Sequence, residues 1–316
     1  MITLRDVEAA REEIYKVIHE TPVLTSTLLN EQCGSQIYLK SEHLQKTGSF
    51  KIRGAANKVR HAVKDGATLI TAASSGNHGQ AVAYMARETG VRAVIAVPED
   101  ASAAKVAAIR AYGAEVEFCG LTSAERIPRA RDLAETGAGI YVPPYDDPLI
   151  MAGQGTCGLE LLEQVPDVEV IVVPVGGGGL ISGILTAIKE SNPRVKVIGV
   201  EPQLANDTYL SLQNKEITPI SGTDTIADGL RTSQPGDLTF PIVQKYLDDL
   251  ILVTEDEIRE ALQFLMERSK QLVEPSGAVS VAALLSGKLK APYQNVAAVL
   301  SGGNLDLRSI TTYLPS

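Results

Sequence analysis

Residues 168–175, VEVIVVPV, form a nearly unbroken apolar run that is rich in β-branched side chains. A strand with one face in water alternates apolar and polar residues, whereas a strand covered on both faces reads as a continuous apolar run. Three similar runs follow, VKVIGVE, DLILV and NVAAVL, with helical spacing between them. This pattern predicts an α/β fold in which a mostly parallel sheet is flanked by helices.

A second set of strands precedes this one. From about residue 68, the runs TLITAA, AVIAV, EVEF and IYV alternate with helical patterns, which predicts a smaller parallel α/β unit. The proline-rich link YVPPYDDP at 141–148 is the best candidate for a boundary between the two sets. Near the N-terminus, Thr3 and Asp6 match a helix-capping pair, and apolar residues keep helical spacing as far as Val17.

Composition narrows the class of protein. The chain has 316 residues, 44% of them hydrophobic and 21% charged, so it can bury one large core or two medium cores. A formal net charge of −9, no basic run and the absence of Trp argue against a nucleic-acid partner. The widely spaced Cys33, Cys119 and Cys157 indicate reduced thiols. Since neither a signal peptide nor a membrane span is recognisable, we expect a cytoplasmic protein with no membrane partner.

The run at 168–175 leads into four glycines, Gly176–Gly179, and then into the helical segment LISGILTAI. Glycines let backbone N–H groups approach an anion, and a helix N-terminus adds partial positive charge, so the loop predicts a phosphate site. Ile181 stands where a dinucleotide loop would have its last glycine, and no Lys-Ser/Thr pair follows Gly183 as a P-loop requires. Close packing of helix on strand is the structural alternative.

Lys51 stands between Phe50 and Ile52 where a helix begins, in the segment SEHLQKTGSFKIRGA. An amine between apolar neighbours can be partly desolvated and held neutral, and a neutral amine can form an imine with an aldehyde. A lysine near a helix start more often faces solvent. This segment alone therefore does not establish a covalent site.

The segment SSGNHG at 74–79 follows the strand TLITAA and opens a helix. Its amides should point into a cleft at the carboxyl ends of strands, where an amino-acid carboxylate would be well held. A helix-capping hydroxyl without a chemical role is the alternative for Ser75. For His78, in the first helical turn, we expect a structural hydrogen bond rather than catalysis.

The strand NVAAVL near the C-terminus ends in SGGN at 301–304. In this order, SFK, SSGNHG, the glycine run and LSGGN resemble the motifs of fold-type II pyridoxal phosphate enzymes, in particular the serine/threonine dehydratase and serine racemase family. The resemblance implies a two-domain α/β fold like the tryptophan synthase β subunit, with mostly parallel twisted sheets. It also implies a large cofactor-binding domain of residues 1–62 and 145–316, a small domain of residues 67–140, and an active site in the cleft between them.

The resemblance implies that Lys51 is catalytic: it binds pyridoxal phosphate and then removes the substrate Cα proton. It places the second catalytic group, the hydroxyl of Ser75, on the opposite face. The residues implied to bind the cofactor are Phe50, Lys51, Asn77, Gly176, Gly177, Gly178, Gly179, Leu180, Gly229, Glu274 and Ser301. Those implied to bind the substrate are Ser74, Ser75, Gly76, Asn77 and His78.

Some of these residues have simpler alternatives. Ser301 is implied to face the pyridine nitrogen, and a turn serine is the alternative. Glu274 is implied to lie close to the cofactor. A carboxylate at a helix start also interacts favourably with the helix dipole, which is the simpler alternative. Phe50 and Gly229, implied to contact the two faces of the ring, could have ordinary core and turn roles.

Glu201 closes the strand VKVIGVE, and Asp207 follows six residues later. Two carboxylates and a loop carbonyl can supply hard oxygen ligands for a divalent cation. The spacing resembles the metal site of serine racemase-like enzymes, which implies Mg²⁺, Ca²⁺ or Mn²⁺ bound by Glu201, the Ala205 carbonyl and Asp207. A capped, solvated turn is the alternative.

The activity implied is α,β-elimination that deaminates L-serine or L-threonine to a 2-oxo acid and ammonia, with serine racemisation as a side activity. Ser75 and the acid pair resemble serine racemase, whereas PPYDDP at 143–148 resembles the threonine-dehydratase form of a loop with Asn in place of Tyr145 in animal serine racemases. Serine racemase, threo-3-hydroxyaspartate ammonia-lyase and a cysteine synthase-like β-replacement enzyme remain alternatives. A regulatory protein that binds a small anion is the non-enzymatic alternative. We expect a homodimer acting on a small amino acid.

Overall fold

The computed structural model describes residues 1–290 and 292–315, and two sheets lie within them. Strands are numbered in chain order. The six-stranded sheet consists of β1 (Val23–Thr25), β2 (Gln36–Lys40), β7 (Val170–Pro174), β8 (Lys196–Pro202), β9 (Asp249–Val253) and β10 (Asn295–Val299). The four-stranded sheet consists of β3 (Leu69–Ala73), β4 (Arg92–Val97), β5 (Glu115–Phe118) and β6 (Ile140–Tyr141).

Both sheets are mostly parallel. The larger has the order β1-β2-β10-β7-β8-β9, and β1 runs antiparallel to β2 while the other described pairs are parallel. The smaller has the order β5-β4-β3-β6 with parallel described pairs. Parallel neighbours need crossover connections, and the helices supply them, as the alternation in the sequence predicts.

The helices of the described chain are α1 (Leu4–Ile14), α2 (Thr27–Cys33), α3 (Lys51–Lys64), α4 (Asn77–Thr89), α5 (Ala103–Ala111), α6 (Ser123–Thr136), α7 (Pro148–Gln164), α8 (Gly179–Ser191), α9 (Asp207–Asn214), α10 (Thr239–Tyr246), α11 (Glu255–Glu267) and α12 (Pro275–Leu285). Short 3-10 helices lie at Glu42–Leu44, Asp228–Leu230 and Leu307–Thr312. Among the described residues, we find no helix with the length and apolar character that crossing a membrane requires.

Helix α1 begins with the predicted capping pair. Thr3 is its N-cap, and the Asp6 carboxylate accepts a hydrogen bond from the Thr3 N–H at 2.7 Å. The helix ends at Ile14, so Val17 lies beyond it although it continues the apolar spacing.

The six-stranded sheet separates two apolar clusters. Along β7, Val170 and Val172 belong to one cluster, and Ile171 and Val173 belong to the other. All four side chains are fully buried, as the continuous apolar run predicts. A third cluster packs the four-stranded sheet against α3, α4 and α5.

The chain passes from the smaller sheet to α7 through residues 142–147. The Pro144 carbonyl accepts a hydrogen bond from Lys51 of α3, and the Asp146 carboxylate accepts from the first amides of α10. Asp147 caps α7 and pairs with Lys58 of α3 at 2.6 Å. This short link therefore contacts three helices.

Candidate active site

Three of the sequence motifs meet beside the end of β10. The Phe50 N–H donates to the Ser301 carbonyl at 3.1 Å, and Ser49 forms a β-bridge with Gly302. A Cβ atom on Gly302 would stand 3.2 Å from Asn77 Nδ2, so Gly302 and Asn77 are neighbours. The SFK, SGGN and SSGNHG motifs therefore lie together.

Lys51 is the first residue of α3, and its amine reaches the link between the sheets. Nζ donates to the Pro144 carbonyl at 2.6 Å and lies 5.2 Å from the centroid of the Phe50 ring. Burial lowers the pKa of Lys51 to about 8, because an enclosed ammonium loses its hydration. A large fraction of the amine is therefore neutral near pH 8, as covalent capture of an aldehyde requires.

The glycine run contacts the same link. Helix α8 begins at Gly179, and Gly178 has a φ of 91°, which glycine adopts without strain. A Cβ atom on Gly177 would overlap the ring of Tyr145, the residue after the carbonyl that holds Lys51. Within the described chain, the N–H groups of residues 176–178 donate to no other backbone group. They are free to bind an anion at the N-terminus of α8.

Asn77, the first residue of α4, is held by two hydrogen bonds. Nδ2 donates to Glu274 Oε1 at 2.6 Å, and Oδ1 accepts from Asn304 Nδ2 at 2.7 Å. An amide nitrogen carries two hydrogens, so Nδ2 retains one donor for a ligand. Glu274 is the N-cap of α12, but its side chain makes no capping bond and turns to Asn77. Burial, together with the charge of Asp228, raises the pKa of Glu274 to about 8.

The two serines at the start of the SSGNHG segment have different surroundings. Gly76 is the N-cap of α4, so Ser75 does not cap this helix. Ser74 Oγ accepts from the Gly76 N–H at 3.2 Å and supports the turn. The capping alternative for Ser75 is therefore wrong.

His78 is buried, and its Nε2 lies 2.9 Å from the Val142 carbonyl. Burial, reinforced by the charge of Lys51, lowers the pKa of His78 to about 3. The ring is therefore neutral near pH 7, and we assign the proton to Nε2 because a carbonyl can only accept. The side chain makes the structural hydrogen bond expected from the sequence.

Ser276 of α12 connects two further predicted residues. Ser301 Oγ donates to the Ser276 carbonyl at 3.3 Å, and Ser276 Oγ accepts from the Gly229 N–H at 2.9 Å. The first turn of α12 thus holds Ser301 and Gly229 close to Glu274.

The predicted metal residues lie at the end of β8 and the start of α9. Glu201, Ala205 and Asp207 are all buried. The Glu201 carboxylate accepts from the N–H groups of Thr208 and Tyr209 at 3.0 and 2.8 Å. Burial, with repulsion from Asp207, raises the pKa of Glu201 to about 8, and burial raises that of Asp207 to about 7. The described residues contain no group of three or more His, Cys, Asp or Glu side chains placed to hold a metal ion.

Two groups of charged residues near the site were not predicted. They are the buried residues Lys40, Glu42, Arg53 and Glu160, and the ion pair between Lys105 and Asp228. The available signal was a charge inside an apolar segment, as in QIYLK and FKIRGAA. The sequence could not predict which charges pair with each other, because Arg53 and Glu160 are 107 positions apart.

Comparison with known proteins identifies the family. A family model described as pyridoxal-phosphate dependent enzyme matches residues 14–302. The chain belongs to this family. The L-threonine ammonia-lyase of Thermotoga maritima is 46% identical over 311 residues, covering 98% of this chain and 77% of the relative. The serine racemase of Homo sapiens is 45% identical over 321 residues, covering 99% and 94%.

The structural comparison agrees with this membership. The solved structure of maize serine racemase matches with a TM-score of 0.95 at 36% identity, and the match covers 98% of this chain and 96% of that one. The predicted fold, that of a fold-type II pyridoxal phosphate enzyme with parallel sheets flanked by helices, is confirmed.

The residues present fit the cofactor of this family. Lys51 supplies an amine with a lowered pKa, and the glycine run supplies free amides for a phosphate. The hydroxyl of Ser49, beside Gly302, is buried and has no hydrogen-bond partner among the described residues. A buried polar group without a partner is unusual, and a polar ligand in the cleft would satisfy it.

Proposed function

We propose that this pyridoxal-phosphate dependent enzyme is an ammonia-lyase that deaminates L-serine or L-threonine to a 2-oxo acid and ammonia, with serine racemisation as a side activity. The observation that carries the proposal is that the amine of Lys51, with its pKa lowered to about 8, and the glycine run with its free amides lie against adjacent residues of one link, Pro144 and Tyr145. Relatives named L-threonine ammonia-lyase and serine racemase support the two reactions.

In this proposal the cofactor binds between Lys51 and the glycine run. The amides of Gly176–Gly179 and Leu180 bind its phosphate at the N-terminus of α8. Phe50 and Gly229 would hold its ring from the two faces. The position of the Lys51 amine, 5.2 Å from the Phe50 ring centroid, supports the first of these contacts.

Three further residues orient the ring. Asn77 gives its remaining N–H to the ring oxygen, and Glu274 holds Asn77 in place through the 2.6 Å hydrogen bond. Ser301 would present its hydroxyl to the ring nitrogen. A hydroxyl, unlike a carboxylate, does not require that nitrogen to be protonated, which favours loss of a β-substituent.

Lys51 moves the proton at the substrate Cα. Its pKa is lowered to about 8, so about half of its amine is neutral near pH 8 and can accept a proton there. Pyridoxal phosphate, when bound, supplies the electron sink for the charge left at Cα.

The substrate carboxylate is held at the N-terminus of α4. The proposed binding residues are Ser74, Ser75, Gly76, Asn77 and His78. Free amides at a helix N-terminus favour an anion, and the hydrogen bond from His78 to Val142 fixes this first turn. Ser75 presents its hydroxyl on the face opposite Lys51, where racemisation needs a proton.

We also propose that the two sheets mark two domains, a large one of residues 1–62 and 145–316 and a small one of residues 67–140. Strands β3, β4 and β5 lie within the small range, and β6 begins at its last residue. The active site then lies in the cleft between the domains. The proposed assembly is a homodimer, which analytical ultracentrifugation would test.

A divalent cation, Mg²⁺, Ca²⁺ or Mn²⁺, is proposed at Glu201, the Ala205 carbonyl and Asp207. Two buried carboxylates with raised pKa values repel each other when ionised, and a cation between them would remove that cost. The hydroxyl of Thr208 is buried there, has no hydrogen-bond partner in the part of the chain that the structure describes, and is a further oxygen ligand. Such oxygen donors suit these cations, with water completing the shell.

Product analysis tests the proposed function. With pyridoxal phosphate bound, the enzyme should release 2-oxo acid from L-serine or L-threonine faster than it interconverts L- and D-serine. Lys51→Ala should lose turnover and also the covalent cofactor adduct that borohydride reduction and mass spectrometry detect, because both need the amine. Lys64→Ala, an exposed lysine of the same helix, is the control and should keep both.

Other outcomes would change the assignment. A reducible adduct that persists in Lys51→Ala would show that Lys51 is not the cofactor lysine. Racemisation faster than deamination would make serine racemase the main activity. Turnover confined to threo-3-hydroxyaspartate would favour the corresponding ammonia-lyase.

A further inference from the structure

Arg53 lies two positions after Lys51 on α3, and its side chain is completely buried. Nε and Nη2 donate to the two carboxylate oxygens of Glu42, both at 2.8 Å. Nη1 and Nη2 donate to the two oxygens of Glu160 at 2.6 and 2.7 Å, and Nη1 also donates to Thr156 Oγ1 at 3.0 Å. All five N–H donors are used, and two bidentate pairs fix both the position and the plane of the guanidinium.

Lys40 completes this group, which we call the Arg53 cluster: Lys40, Glu42, Arg53 and Glu160. Lys40 is fully buried, and its Nζ donates to Glu160 Oε2, Gln164 Oε1 and the Thr21 carbonyl at 2.6, 2.9 and 2.8 Å. Two cations and two carboxylates leave the cluster without net charge. A buried polar network with all of its donors satisfied is rigid, because every alternative arrangement would leave a charge unpaired.

The cluster joins three elements next to the active site. Arg53 belongs to α3, Glu160 to α7 and Lys40 to the end of β2. The Lys40 carbonyl accepts a 2.9 Å hydrogen bond from the residue just before Ser301. On α3, residues two positions apart point about 200° from each other, so Arg53 is directed away from the Lys51 amine. Short lengths of backbone thus connect the cluster to both Lys51 and Ser301.

We propose that Arg53 is a positioning residue: through its cluster it sets the place of the first turn of α3 and so holds the Lys51 amine opposite Ser301. This inference rests on the proposed role of Lys51 as the cofactor lysine. Apolar contacts alone are non-directional and would let the start of the helix shift, whereas two bidentate pairs resist translation and rotation. Displacement of a reacting group by about 1 Å can lower turnover about 10²-fold.

The substitution Arg53→Lys separates positioning from charge. Lysine keeps the positive charge, but its ammonium has three donors and cannot form two bidentate pairs. In the holoenzyme, kcat for L-serine should fall about 10- to 100-fold while KM changes less than about threefold. The fraction of bound cofactor that borohydride locks onto Lys51 should fall too, and this measurement does not depend on turnover.

Arg11→Lys is the matched control. Arg11 makes a bidentate pair with Glu163 on the same helix α7, at 2.5 and 2.8 Å, but both side chains are exposed. This variant should leave kcat, KM and the locked fraction unchanged. If Arg53→Lys melts at a lower temperature but matches the control in kcat and locked fraction, the cluster only stabilises the fold and the proposal is overturned.

Thr156→Val decides the question should Arg53→Lys fail to fold. It removes one of the five hydrogen bonds of the Arg53 guanidinium with little change of shape and no change of charge. It should lower kcat about 3- to 10-fold at unchanged KM. An unchanged kcat would overturn the proposal. Lys51→Ala keeps the two proposals apart: an adduct that persists there refutes the role of Lys51 as the cofactor lysine. Loss of the adduct there, with Arg53→Lys behaving as the control, refutes only the positioning role.

Discussion

Burial shifts the ionisable side chains of the cleft toward their neutral forms. It lowers the pKa of Lys51 to about 8 and that of His78 to about 3, and it raises the pKa of Glu274 to about 8. Loss of water disfavours a charge of either sign, so one physical cause moves acids and bases in opposite directions. Around and above pH 8, the groups of the cleft that can bind an anionic ligand are therefore mainly backbone amides.

At this scale, Ser75→Ala is expected to separate racemisation from deamination. Racemisation needs a proton on the face opposite Lys51, where the Ser75 hydroxyl is proposed to lie, while elimination from L-serine does not. D-serine formation should fall about 10²- to 10⁴-fold, the usual cost of losing a general acid or base, and pyruvate release should fall far less. Both products are measured in the same reaction.

Ser74→Ala is the control in the same loop. Ser74 supports the turn through its hydrogen bond with the Gly76 N–H, so its loss should lower both rates by a similar factor. If Ser75→Ala also lowers both rates equally, Ser75 only shapes the loop and its catalytic role is wrong.

At the scale of elements, helix N-termini differ in whether their amides are already satisfied. Among the described residues, the amides of residues 176–178 before α8 have no hydrogen-bond acceptor. The first amides of α9 are occupied by the carboxylate of Glu201. The start of α8 can therefore receive an external anion, whereas the start of α9 is already occupied by a carboxylate.

Removal of divalent metal should make stability depend on pH. Without a cation, the pKa of Glu201 is about 8 and that of Asp207 is about 7, above the ordinary values of 4.5 and 3.8. The folded protein then binds more protons than the unfolded chain, and the resulting stability is full below about pH 4 and is lost as the pH rises through 7 and 8. In EDTA, Tm should be lower at about pH 8.5 than at about pH 6.

Adding Mg²⁺ or Ca²⁺ should raise Tm more at about pH 8.5 than at about pH 6, because a cation needs ionised carboxylates. Scanning calorimetry measures both effects. Asp207→Asn should remove most of the metal response, and Asp249→Asn, an exposed position on the edge strand β9, should keep it. A Tm that neither EDTA nor added metal changes at either pH would contradict the site.

At the scale of the whole molecule, polar side chains of α4 and α5 connect the smaller sheet to the larger half. Asn77 of α4 binds Glu274, and Lys105 of α5 pairs with Asp228, next to Gly229. The second pair is partly exposed, with 27% and 38% of the two side chains accessible, so it adds little to stability. Its effect should instead appear in substrate binding, when the two halves must stay together.

Exchanging the charges of this pair tests the idea. Lys105→Asp and Asp228→Lys should each raise KM for L-serine about 2- to 5-fold, because like charges then meet and such a pair is worth about 0.2–1 kcal/mol. The double variant should restore KM, and the differences should shrink in high salt. Steady-state kinetics of the four proteins measure this.

Exchanging Arg92 and Glu115, an exposed pair within the smaller sheet, is the control and should leave KM unchanged. If the double variant Lys105→Asp/Asp228→Lys is as impaired as the single variants, pairing of these charges does not contribute to substrate binding.

Much of this architecture could be predicted from the pattern of neighbouring residues in the sequence. The continuous apolar run predicted β7 as a strand buried on both faces, and the glycines after it predicted an anion-binding loop before α8. Strand β2 was not predicted. Its sequence QIYLK has polar ends, and its buried Lys40 is stabilised by partners on α7 rather than by apolar neighbours.

Apolar periodicity and glycine spacing are properties of consecutive residues, so the chain itself specified the α/β class, the strand and helix pattern and the motifs of its family. Folding added what depends on partners far apart in the chain: the Pro144 carbonyl at Lys51, Glu274 at Asn77, and Glu160 at Arg53, which are separated by 93, 197 and 107 positions. The sequence alone does not show whether a charged residue will be buried next to a residue of opposite charge. Only the packed structure buries Lys51, which lowers the pKa of its amine, and supplies the opposite charges that bind Arg53 on the same helix.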